Sequence, residues 1–133
     1  MPVRSLSSYV LVWPDRAAVD AAARAWAARE AGSRPDLLRL GYSGSYARGD
    51  WGTGSDLDLV AAVRSSDLPF EDRAVRWDLT ALPVPAEILV YTEAEWRAFL
   101  AEGSRFARTL ESETVWTYAS EGAADAPASH RPR

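Results

Sequence analysis

Two periods of hydrophobic spacing run along the chain. Ser8–Trp13 is rich in β-branched and aromatic residues and reads as a first strand. Pro14-Asp15 ends it, with Asp15 placed to cap a helix from Arg16 to about Ala31, where Val19, Ala22, Ala23, Trp26 and Ala27 recur at helical spacing. Gly32–Pro35 stops that helix and Leu37–Tyr42 follows as a second strand. After a Gly/Ser-rich turn and a glycine-rich loop over Gly49–Ser55, Asp56–Val63 is a third strand with an apolar second half. Ser65–Leu68 turns the chain, Phe70–Leu82 is read as a helix, and Pro85–Tyr91 as a further strand.

Thr92-Glu-Ala-Glu95 is a capping box opening a helix with Trp96, Phe99 and Leu100 on one face. A short helical piece over Arg105–Leu110 and a strand over Thr114–Tyr118 complete the pattern. Strands alternate with helices without an internal repeat, so the class is α/β (or α+β), a sheet with helices packed mainly on one face. Residues 1–119 are expected to form one domain, and 120–133, small, polar and Pro-punctuated, a disordered tail.

Composition narrows the chemistry. The 133 residues are 47% hydrophobic with six Trp, enough for a core without staples. No apolar run approaches the roughly 18–20 residues that span a bilayer, and Met1–Arg4 shows no signal-peptide pattern, so a soluble cytoplasmic protein is expected. Cysteine is absent, all 15 basic residues are Arg, and the sole histidine is His130 in the tail. Thiolate metal sites, Schiff-base or Walker lysines and Ser-His-Asp triads are thereby excluded or strongly disfavoured. What remains is carboxylates, hydroxyls, Arg and backbone amides, an inventory suited to hard cations such as magnesium. A net charge of -4 argues against a protein that grips extended nucleic acid. It leaves room for a nucleotide whose charge a metal offsets.

The informative stretch runs from Gly41 to Val60. In a strand, Asp56 and Asp58 share a face while Leu57 and Leu59 take the other. Carboxylates set side by side repel, and a divalent cation between them removes the conflict while offering its other sites to phosphate oxygens. Gly44 permits close backbone approach to a phosphate, Ser45 adds a hydroxyl and amide, and Arg48 lies about one turn on. Read separately, Ser45 is equally a helix cap and Arg48 equally a surface ion-pair partner. Asp50 belongs to the loop. Trp26, Trp77, Trp96 and Trp116 read as core or partner surface, and Trp51 is the one aromatic beside the motif.

Gly44-Ser45, ten intervening residues and Asp56-Leu-Asp58 together resemble the signature of the DNA polymerase beta-like nucleotidyltransferase superfamily. The wording Gly-Ser-Tyr-Ala-Arg-Gly and Ser-Asp-Leu-Asp-Leu is most similar to the minimal nucleotidyltransferase branch, often encoded beside a HEPN-domain partner as a toxin–antitoxin pair. The likeness covers Leu37–Tyr118; a leading strand over Ser8–Trp13 departs from the smallest members. It implies a nucleotidyltransferase fold with a mixed sheet. It implies Asp56 and Asp58 as ligands of one or two magnesium ions, and phosphate binding by Gly44, Ser45 and Arg48. The superfamily's third carboxylate, usually Asp, falls by position on Glu87, which is equally readable as an exposed strand charge. Asp78, expected on a helix, is the fallback.

The leading expectation is transfer of a nucleoside monophosphate, AMP from ATP, to a hydroxyl acceptor supplied by a HEPN-type partner or a second copy. The rival is a non-catalytic antitoxin module that keeps the fold and binds its partner stoichiometrically. A third reading, a small-molecule transferase of the aminoglycoside-modifying kind, needs a substrate domain that this length hardly permits.

Overall fold

The computed structural model describes residues 14–50, 52 and 55–120. The expected strand Ser8–Trp13, Trp51 and the tail beyond Ser120 lie outside the described residues.

Helix α1 (Arg16–Ser33) starts where Asp15 accepts the Ala18 amide at 2.8 Å. It runs one turn-half past the expected end, through Gly32, and stops at Arg34 ahead of Pro35. Strand β1 (Leu37–Ser43) leads into a single turn of helix, α2 (Ser45–Arg48), and then β2 (Leu57–Val63). Strand β3 (Ala86–Thr92), helix α3 (Glu93–Glu102), helix α4 (Arg105–Glu113) and strand β4 (Val115–Ala119) follow. The capping box at Thr92 and Glu95 forms in full, and Ser104 caps α4 by accepting from Ala107.

The four strands are ordered β3-β2-β1-β4. β1 is antiparallel to β2 and to β4, whereas β2 and β3 run parallel, so the sheet is mixed as expected. A parallel pair needs a crossover, and here it departs from the expected helix over Phe70–Leu82. Only Phe70–Arg76 is helical, and as a 3₁₀ segment; Trp77–Pro85 is irregular. Asp78 folds back to take the Thr80 amide at 3.0 Å and its hydroxyl at 2.6 Å, competing with a helical ladder, and Pro83 and Pro85 forbid its continuation. The segment still buries Trp77, Leu82 and Val84.

Helices cover both sheet faces, which corrects the expectation of one main face. On one side α1 packs Val19, Ala23, Trp26 and Ala27 against Leu57, Leu59, Ala61 and Val63 of β2, together with Ile88 and Val90 of β3. Trp26 and Trp77 lie here at 6.0 Å between rings, core residues as read. On the other side α3 and α4 bring Trp96 and Leu110 onto Val60, Tyr91 and Trp116. The local pattern misses this division because α3 and α4 are short and each contributes few anchors. No helix among the described residues is long and apolar enough to cross a membrane.

Candidate active site

The second, smaller core does not reach the start of β2 and β3, and the gap beside it is a cavity of about 340 Å³. Strand alternation decides what faces it. Leu57 and Leu59 turn to the α1 core, so Asp58 turns the other way, with Val60. On β3, Ile88 and Val90 join the α1 core, so Glu87 and Leu89 face the cavity. The parallel register sets Asp58 opposite Glu87, and the antiparallel register sets Ser43 opposite Asp58. Ser43, Asp58 and Glu87 therefore form one row across three strands on one face.

This row is electrostatically unsettled. The Asp58 carboxyl is pushed above the usual Asp range first by loss of water, then by the neighbouring charges of Glu87 and Asp56. Asp56 itself precedes β2 and is exposed; the next residue, Leu57, is anchored by its amide to the Pro85 carbonyl at 2.8 Å. It acts on Asp58 through its charge but is not among the residues lining the cavity. Among the described residues no three acidic or imidazole side chains are gathered closely enough to hold a metal as they stand. The donor set nevertheless suits a hard divalent cation: oxygen ligands on two adjacent strands, mutually repelling, one of them partly desolvated.

Gly44 closes one wall. Its φ of +76° is left-handed, and a Cβ there would lie 2.2 Å from Asp58 Oδ2. Only glycine, with no Cβ, permits that turn at that approach. Arg48, at the end of α2, lines the cavity and pairs with Asp50 at 3.1 Å, the loop role expected of Asp50. Ser45 begins α2, half-buried, next to the cavity wall rather than in it. The fallback Asp78 does not join this group. Its carboxylate is occupied by Thr80, which also lowers its pKa, and its carbonyl accepts from Trp26 Nε1 at 3.1 Å on the α1 side.

One residue here escaped the sequence reading. Glu113, the last residue of α4, accepts the Gly44 amide at 2.8 Å through Oε2 and pairs with Arg48 Nη1 at 3.5 Å through Oε1. The available signal was weak: a carboxylate at a helix C-terminus opposes the helix dipole, which marks it as held by something outside the helix. The remaining walls are apolar, formed by Val60, Leu89, Leu110 and the exposed Phe106. A cavity with an acidic, oxygen-rich floor and an apolar side is suited to a ligand that joins phosphate and metal to a less polar body.

Residues 27–116, more than half of the chain, match the model of the family described as nucleotidyltransferase domain. The match contains Gly44, Asp56, Asp58, Glu87 and Glu113. No curated protein matches the chain. Among solved structures, a proposed nucleotidyltransferase from Sulfolobus solfataricus is similar with a TM-score of 0.57 and 19% identity, over 80% of this chain and 85% of that one. A toxin–antitoxin structure solved with AMP-PNP is similar with a TM-score of 0.51 and 12% identity, over 77% of this chain and 82% of that one. At these identities the likeness is one of fold.

Proposed function

The chain belongs to the nucleotidyltransferase-domain family and is a nucleotidyltransferase, and on that premise we propose that it moves AMP from ATP to a hydroxyl at the Asp58–Glu87 row. The observation carrying this reading is the register that sets Asp58 beside Glu87, with Asp58 raised by burial and then by its acidic neighbours, against a glycine that tolerates no Cβ. Asp56, Asp58 and Glu87 would hold one or two magnesium ions. Bound there, the ions would neutralise phosphate charge and stabilise the attacking and leaving oxygens.

The chain's own groups then have distinct tasks. The Gly44 amide, Ser45 and Arg48 hold the β- and γ-phosphates, which fixes the α-phosphorus over the row. Glu87 accepts the proton of the acceptor hydroxyl. A bond forms between that oxygen and the α-phosphorus, the bond from the α-phosphorus to the bridging oxygen breaks, and pyrophosphate leaves. The apolar side wall excludes water, a competing acceptor. The acceptor is a hydroxyl on a protein partner, of the HEPN kind suggested by the motif wording, or on a second copy. The fold likeness to a toxin–antitoxin structure solved with AMP-PNP supports looking there.

Calorimetry of ATP with and without magnesium, on the wild type and on Asp56→Ala/Asp58→Ala, tests the reading. Magnesium-dependent binding that the double variant loses supports it. If no nucleoside triphosphate binds to folded wild type, the proposed AMP transfer at this row is wrong and stoichiometric binding of a partner replaces it as the reading.

A further inference from the structure

Resting on that reading of the site, we propose that Glu113 is an internal stand-in for the phosphate, occupying its donors until a triphosphate displaces it. Of the three groups that the reading assigns to phosphate, Glu113 engages two, the Gly44 amide at 2.8 Å and Arg48 at 3.5 Å, one with each carboxylate oxygen. A carboxylate and a phosphate present the same chemistry to such donors: two or more anionic oxygens that accept charge-assisted hydrogen bonds.

The position is otherwise a poor one for a negative charge. Glu113 closes α4, where the helix dipole disfavours an anion and the last turn carries no basic residue. It also faces Asp58, whose pKa its charge helps to raise. Its side chain is only 14% exposed, so it has given up most of its water for these two contacts. An anion held against repulsion on both sides is readily exchanged for one that brings its own countercharge. Until then it keeps the Gly44 amide satisfied and Arg48 tethered beside the cavity, so Glu113 is a positioning residue that sets nucleotide affinity.

The test measures binding of inorganic tripolyphosphate and of ATP, with and without magnesium, to wild type, Glu113→Gln and Glu113→Ala. Competition predicts that both variants bind about tenfold more tightly than wild type, the loss of one charge-assisted contact to be broken. In a nuclear magnetic resonance titration of wild type, the Gly44 amide resonance should shift with tripolyphosphate as its partner changes. That second measurement needs no variant and stands even if Glu113→Ala unfolds. Affinity in the variants equal to or below wild type, or a Gly44 amide unmoved by a bound ligand, overturns the proposal and leaves Glu113 as a tie between α4 and the loop. Wild type that binds neither ligand, with or without magnesium, removes the phosphate site itself, and this inference falls with it.

Discussion

At the far end of β3, Arg73 grips Glu95 with two nitrogens, at 2.5 Å and 3.1 Å, and also donates to the Val90 carbonyl at 3.0 Å. At the near end of the same strand, Glu87 stands beside Asp58, and Arg48, which lines the same cavity, is already shared by Asp50 and Glu113. The two acidic groups respond in opposite senses. The Arg73 hydrogen bond pulls Glu95 down to about 2, whereas burial and acidic neighbours push Asp58 up. Glu95 carries its own cation and completes the capping box of α3, so its charge serves stability. Among the described residues no arginine forms an ion pair with Asp58, and the charge of Arg48 offsets its burial and acidic neighbours only in part. A carboxylate that the fold leaves in conflict is a sign of a site.

The two ends differ most at Asp58. Asp58→Asn should reduce nucleotidyl transfer on the order of a thousandfold, while the thermal midpoint holds or rises, because a repulsion has been removed. A fall in midpoint together with retained activity would place Asp58 in the wrong class. Gly44→Ala should both destabilise the fold by about 1–3 kcal/mol, the cost of a side chain in backbone geometry open essentially only to glycine, and abolish ATP binding, since its Cβ meets Asp58 Oδ2 at 2.2 Å. Denaturant melts and calorimetry read the two effects separately.

At the other end, Arg73→Met should cost about 2 kcal/mol in urea unfolding. The figure is discounted because the Glu95 side chain is 42% exposed. Magnesium-dependent ATP binding should persist in that variant; its loss would couple the two ends. The pH dependence sharpens the same contrast. Glu95 has a folded-state pKa below its ordinary 4.5, so its contribution is present above that pH and is lost as pH falls from 4.5 through about 2. Acid melts of Glu95→Gln should lack that loss. Asp58, shifted upward, has the reverse sign: in the metal-free protein it favours the fold at low pH and costs stability once ionised.

Magnesium should remove that cost, and gives the smallest effect. With millimolar affinity, a tenfold excess over Kd would stabilise the wild type by about 1.4 kcal/mol at neutral pH. The same addition should leave Asp58→Asn unmoved in differential scanning calorimetry.

Much of this was readable before folding was considered. Asp15, Thr92 with Glu95, and the Val19–Trp26 spacing are local signals, each acting within a few residues, and they placed α1 and α3 correctly. The crossover departs from the helix its spacing predicts, because Phe70–Leu82 has helical apolar spacing while Asp78 and Pro83 act locally against it. Glu87 was reached by position in a family pattern; its place beside Asp58 is a matter of register between β2 and β3.

The residues from Gly44 to Asp58 thus specify their own chemistry, because strand alternation and glycine stereochemistry are properties of neighbouring residues. Tertiary structure alone decided that Glu87 stands opposite Asp58 and that Glu113 reaches the Gly44 amide from 69 positions away. It also decided that Arg73 goes to Glu95 and not to the acidic row. Those pairings depend on parallel register and on where α4 docks, which are fixed by the burial of Val60, Trp96, Leu110 and Trp116. No short-range pattern carries that information, since the energy that sets it is shared among side chains distant in sequence.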